Sequence, residues 1–175
     1  MSRAIRRKYT FRAGGRKVVV AKRARERPEH VFMKAFLWAL YLPVYPEAAI
    51  EVSVGDRYKP DVVQLDRWGD PEFWAEAGKV GRAKIESLAR RFRRTHFALA
   101  KWDTPLEPFE AIVRSAVASL EREAPFDLIR FPPDSLARFV DDRGEIRIDR
   151  DRLEWLRIGP SQGSGARGPS RAGPE

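Results

Sequence analysis

Cysteine is absent from this 175-residue chain, which excludes disulfides and every thiolate-based metal site. Histidine occurs only as His30 and His96, too few for a histidine-dominated metal centre. No apolar run is long enough to cross a bilayer. The longest, residues 35–42, falls far short of the about 20 residues that a spanning helix needs. The opening Met-Ser-Arg-Ala-Ile-Arg-Arg-Lys carries no hydrophobic signal region. These absences predict a cytoplasmic protein without membrane attachment.

What is present describes a globular chain. A hydrophobic fraction of 43% with 11% aromatics is enough to bury a core in one domain of this length. The net charge of +9 is unevenly spread: residues 1–27 hold eleven Lys/Arg against the single acid Glu26. Residues 161–175 add +1, so residues 28–160 are slightly acidic at −2. A basic N-terminal segment favours polyphosphate partners and salt-dependent binding.

Local patterns predict an α/β order. Gly14-Gly15 between residues 8–13 and 16–22 is a strong hairpin signal, placing Tyr9 and Phe11 on one face with Val18 and Val20. Pro28 can open a helix that covers residues 31–42 and ends at Pro43. A strand over 49–54 follows, then two short apolar runs around a turn at Trp68-Gly69. An amphipathic helix over 82–94, a buried strand over 96–102 and a helix over 108–123 come next. A strand over 126–131, a short helix to Val140 and a hairpin joining 145–149 to 153–158 complete the domain, residues 1–159. From residue 160 the Gly/Ser/Pro/Arg composition predicts a disordered tail.

The two apolar runs after residue 60 each contain an acid. Asp61 opens Pro-Asp-Val-Val-Gln-Leu, and Glu76 sits within Phe-Trp-Ala-Glu-Ala-Gly. In an antiparallel hairpin turning at 68–69, residues whose numbers sum to 137 oppose each other, as Asp61 and Glu76 do. Their Cβ atoms would then lie about 5 Å apart on one sheet face. Like charges so placed repel, and burial makes that worse. Such a pair persists if one acid holds a proton, if water reaches both, or if a cation sits between them. Oxygen ligands at this spacing suit Mg²⁺ or Mn²⁺. A solvated sheet edge is the plain alternative.

The order of these features resembles the PD-(D/E)xK nuclease superfamily, and within it the YaeQ-like branch. The resemblance covers roughly residues 5–102 and rests on the basic hairpin, "PEHVFMKAFLWAL", Pro60-Asp61 and "FWAEAG". It implies a restriction-endonuclease-like mixed β-sheet flanked by helices, with a basic N-terminal hairpin. It also implies phosphodiester hydrolysis with Mg²⁺ or Mn²⁺ held by Asp61, Glu76 and the Ala77 carbonyl, with Glu29 as a further helix-borne ligand. Arg6, Arg7, Lys8, Arg12, Arg16 and Lys17 would contact the phosphates of DNA or RNA, and a homodimer is compatible with the resemblance. A plain Glu-x-Lys motif would put lysine at 78, but this chain has Gly78. Lys84, on the following helix, is the expected catalytic lysine, and Lys79, of the wrong strand parity, is the alternative. His30 is expected to back the site, to touch phosphate, or simply to pack. Trp68, at the hairpin tip, would stack on a base if exposed. The other functional reading is a non-catalytic nucleic-acid-binding or transcription-associated protein that keeps the fold.

Overall fold

The computed structural model describes residues 7–160, so the expectations for Arg6 and for most of the tail lie outside the described residues. Strands β1 (Lys8–Ala13) and β2 (Arg16–Ala21) form the expected antiparallel hairpin, with Tyr9 opposite Val20 and Phe11 opposite Val18. Its turn needs left-handed backbone, which Gly14 (φ +55°) and Gly15 (φ +75°) adopt without a Cβ penalty.

Helix α1 (Pro28–Tyr41) begins at the proline, whose missing N–H would be unpaired there anyway. From Val31 to Tyr41 every residue but Phe32 is buried, so the helix runs through the core instead of lying on it. Lys34 is the one charged residue among them, at 2% exposure.

The remaining strands are β3 (Ala49–Ile50), β4 (Val62–Leu65), β5 (Pro71–Ala77), β6 (His96–Trp102), β7 (Phe126–Phe131) and β8 (Glu154–Ile158). They form one mixed six-stranded sheet in the order β3-β4-β5-β6-β7-β8, parallel only across β5-β6-β7. Helices α2 (Arg82–Arg91) and α3 (Glu107–Val117) are the crossovers between those parallel strands, as parallel pairing requires. Helix α4 (Ser135–Phe139) and a 3₁₀ turn (Arg150–Arg152) precede β8.

Alternation along the strands divides the core in two. Phe73, Ala75 and Ala77 of β5 pack with α1 and the hairpin. Trp74 of β5, with Phe97 and Leu99 of β6, packs with Ile85, Leu88 and Ala89 of α2 and Val113 of α3. Among the described residues, no helix is long and apolar enough to cross a membrane.

Three expectations are corrected. The strand over 49–54 stops at Ile50, because Glu51 takes a left-handed φ of +59° and turns the chain away. The C-terminal hairpin does not form: β8 pairs with β7, while Glu145 and Ile146 bridge to Arg12 and Val140. The third helix ends at Val117, and Arg122 folds inward to donate to the carbonyl oxygens of Ala89, Phe92 and Thr95.

Candidate functional site

The hairpin register places the two acids. Val62 opposes Ala75 and Val63 opposes Trp74, so the sum of 137 holds through this part of the ladder. Asp61 lies one residue before β4, with its backbone N–H still donating to the Ala75 carbonyl at 3.0 Å. A bulge between Gln64 and Leu65 shifts the register only toward the turn, away from the acids.

The two carboxylates then diverge in their partners. Asp61, at the strand end, accepts the backbone N–H of Ala77 at 2.8 Å and meets His30 Nε2 at 3.4 Å, both through Oδ2. Glu76, 5% exposed, accepts the Trp74 indole N–H at 2.8 Å and pairs with Lys84 Nζ at 2.7 Å, both through Oε1. Lys84 therefore reaches the acid from α2, as its position four residues before buried Leu88 requires. Lys79 is exposed and pairs with no acid among the described residues.

Gly78 explains why no lysine stands there. Its φ of +85° disfavours any L side chain, and an added Cβ would point toward His30 Cδ2, 3.8 Å away, on the α1 side. A lysine at 78 would be strained and aimed away from α2.

A third group was not legible in the pattern of paired acids. Lys34 Nζ is 2.6 Å from Glu26, 2.7 Å from Glu51 and 4.0 Å from Asp61. His30 Nδ1 lies 2.9 Å from Glu26. Glu29, expected as the helix-borne ligand, has no hydrogen bond or ion pair among the described residues. Glu26, one turn earlier, is the acid that faces the cluster. The left-handed turn at Glu51 that cuts β3 short is also what delivers that carboxylate to Lys34.

The environments split the two acids. Burial pushes Asp61 up, but hydrogen bonds from His30 and Ala77 and the charges of His30 and Lys34 outweigh it, leaving it below the usual aspartate value. Burial also dominates at Glu76, and with the charge of Asp61 it leaves this acid above its usual value despite Lys84 and Trp74. His30 is raised, chiefly by its hydrogen bond to Asp61. The mutual repulsion expected from the sequence shows in Glu76, which the Asp61 charge helps to raise.

The donor set fits a hard divalent ion in one respect. Asp61 Oδ1 and Glu76 Oε2 accept no hydrogen bond from described residues, while their sister oxygens are occupied. A raised, buried carboxylate beside a second carboxylate is short of positive charge, which an ion with oxygen preference supplies. The described residues contain no group of three or more His, Cys, Asp or Glu placed to hold a metal, so the shell would be completed by backbone, water or substrate.

Exposed basic residues fall in two segments. Arg7, Lys8, Arg12, Arg16 and Lys17 of the hairpin are exposed, although Arg12 donates to the Arg143 carbonyl and Arg16 lies 3.9 Å from Glu47. The loop that follows, which carries Glu26 to Lys34, also exposes Arg23, Arg25 and Arg27. The second segment lies within the part of the chain that is slightly acidic as a whole. Residues 79–94 hold seven Lys/Arg against Glu86, and this is the stretch that brings Lys84 to Glu76. Trp68 is 72% exposed beneath the Arg67 guanidinium, 4.0 Å from its ring centroid.

No protein-family model and no curated protein sequence matches this chain. Among solved structures it is similar to the YaeQ protein from Pseudomonas syringae, with 18% identity and a TM-score of 0.54 over 81% of this chain and 76% of that one. It is also similar to the YaeQ protein from Xanthomonas axonopodis pv. citri, with 14% identity and a TM-score of 0.57 over 93% of this chain and 94% of that one. At such identities the likeness is one of fold, and the fold is YaeQ-like.

Proposed function

We propose that this protein is a divalent-metal-dependent nuclease of the PD-(D/E)xK superfamily, acting on nucleic acid in the cytoplasm. The observation that carries the proposal is the Asp61–Glu76 pair at the hairpin's open end, where Glu76 Oε2 and Asp61 Oδ1 accept no hydrogen bond from described residues, with Lys34 4.0 Å from Asp61 Oδ1 and Lys84 on Glu76. Asp61 Oδ1 and Glu76 Oε2 would hold the ion, with the Ala77 carbonyl beside them. When bound, Mg²⁺ or Mn²⁺ supplies Lewis-acid polarisation of a phosphate oxygen and of the attacking water.

The chain's own residues do the rest. Lys84, anchored on Glu76, orients the attacking water and offsets the charge that builds on phosphorus-bound oxygens. His30 and the Ala77 N–H fix the Asp61 carboxylate in its ionised form, so that no proton competes with the ion. The basic residues of the hairpin, the 22–27 loop and the 79–94 segment hold the phosphate backbone and give position without reading sequence.

A second reading has a specific observation in its favour: each acid already has a lysine of this chain beside it, Lys34 at Asp61 and Lys84 at Glu76. A protein whose own ammonium groups replace the ion would bind nucleic acid without cutting it. Incubation of wild type with single- and double-stranded DNA and RNA, with Mg²⁺ and with Mn²⁺, separates the two. Cleavage lost in Asp61→Asn supports the nuclease; binding without cleavage of any substrate supports the non-catalytic protein.

A further inference from the structure

Lys101 has no role in the chemistry above, yet its placement is unusual. Glu76 is in register with Leu99 across the parallel β5-β6 pair, so Lys101, two residues beyond Leu99, shares the sheet face of Glu76 on the neighbouring strand. It lies toward the carboxyl ends of β5 and β6, the side on which open parallel sheets receive ligands. The residue is 5% exposed. Its ammonium rests 3.6 Å from the centroid of the Phe109 ring and donates to the Gly78 carbonyl.

What Lys101 lacks is an acid. Buried Lys34 touches two carboxylates and lies near a third, whereas Lys101 pairs with none among the described residues. The charge of Lys79, which also pairs with no acid among the described residues, acts on it, and burial foremost, together with that charge, holds its ammonium down to about 8. One of its three N–H donors is spent on Gly78, leaving two. A cation with apolar walls, a like-charged neighbour and spare donors is complementary to an anion, and binding one would relieve both the desolvation and the repulsion.

We propose that Lys101 and Lys79 form a phosphate-binding subsite beside Glu76, which holds a backbone phosphate of the nucleic-acid strand next to the one that reacts. The identification of the phosphate as part of nucleic acid rests on the nuclease reading; the anion site itself does not. Lys79, of the wrong parity to reach the acids as a catalytic group, acquires a role suited to its exposed position. Lys84 serves the reacting phosphate and Lys101 its neighbour.

The test follows the side-chain signals of Lys101 and Lys79 by NMR in protein labelled with ¹⁵N and ¹³C at lysine, in EDTA so that no cleavage occurs. The probes are inorganic phosphate, a 12-nucleotide DNA and the matching RNA, each against chloride at equal ionic strength. The expected result is a saturable shift of both signals with phosphate and with at least one oligonucleotide. Lys101→Met should weaken that oligonucleotide's binding about tenfold, the loss of a charged hydrogen bond. Lys79→Gln, at an exposed position that tolerates exchange, should weaken it by a smaller factor and keeps the test decisive if Lys101→Met fails to fold. Shifts with phosphate alone would leave an anion site but overturn its assignment to nucleic acid. Signals unmoved by all three probes, or undiminished binding in both variants, would overturn the subsite altogether. Because no metal is present, either failure is distinct from an absence of cleavage in the Mg²⁺ and Mn²⁺ assays.

Discussion

Glu76 and Asp127 are both buried acids on the central strands, yet their surroundings push them in opposite directions. Asp127 is 0% exposed and accepts from four side chains: the Tyr41 hydroxyl, His96 Nε2 at 2.7 Å, Arg150 at 3.2 Å, and Arg157 in a fork at 2.8 and 3.0 Å. Tyr45 completes the shell by meeting His96 Nδ1 at 2.8 Å. Burial raises Asp127, but these hydrogen bonds, those of His96 and Arg157 foremost, hold it far below the usual aspartate value. Glu76 has one lysine, one indole N–H and an acidic neighbour, and burial wins. Asp127 ties α1, β6, β7 and β8 together at the amino end of β6. Glu76, near the carboxyl end of β5, is left with an oxygen to spare. A saturated acid is a fastener; under the proposed function, the under-saturated one is where a divalent cation would bind beside Lys84.

Substitutions can break this contrast, and the largest effect is expected on chemistry. Asp61→Asn or Glu76→Gln should lower metal-dependent cleavage by about 10³-fold or more, since each removes charge from the ion's ligand pair. A cleavage assay against wild type at saturating Mg²⁺ checks this. Their stabilities should differ: Asp61→Asn loses a favoured anion, whereas Glu76→Gln removes a disfavoured one and should be neutral or stabilising in urea melts.

Asp127→Asn should do the reverse, costing about 3 kcal/mol of stability, because it leaves Arg150 and Arg157 without their counter-charge. Thermal unfolding would show this as a fall in Tm, with the folded variant keeping its metal affinity. Lys84→Met ranks next: it should keep the ion and lose about 10²-fold in rate, the effect of removing one transition-state donor. Isothermal titration with Mn²⁺ beside a cleavage assay separates these two properties.

A smaller effect sharpens the contrast through pH. Asp127 is depressed on folding, so its contribution to stability is present above the unfolded value of about 3.9 and fades as pH falls through its folded value. Glu76 is raised, so the folded state holds its proton longer and stability falls as pH rises from about 4.3 through the folded value. Urea denaturation from pH 3 to 8 should therefore show a steeper acid loss in wild type than in Asp127→Asn. The decline above pH 4.3 should be reduced in Glu76→Gln.

Much of this was readable from charges inside apolar runs. That rule found Asp61 and Glu76, and the hairpin arithmetic holds from Val62–Ala75 to Gln64–Phe73, next to the acids, because the bulge falls beyond Gln64. The same rule marks Lys34 in Val-Phe-Met-Lys-Ala-Phe, Lys101 in Phe-Ala-Leu-Ala-Lys-Trp and Asp127 in Phe-Asp-Leu-Ile-Arg-Phe, none of which was singled out from the sequence. Their partners were harder to see. Glu26 and Glu51 reach Lys34 from loops whose path depends on local geometry, a positive φ at Glu51 above all. Periodicity says which residues face inward, but not which loop brings the counter-charge. The failed C-terminal hairpin has a similar cause: residues 154–158 alternate as a strand should, and the choice of β7 over residues 145–149 as partner is set by tertiary packing.

The central claim is that Asp61 and Glu76 together hold a divalent ion. Crystals soaked in Mn²⁺ and measured for anomalous scattering test it most directly. The account predicts a peak within about 2.3 Å of both Asp61 Oδ1 and Glu76 Oε2, lost in Glu76→Gln. A map with no peak there, and with the Lys84 ammonium still seated on Glu76, would contradict it.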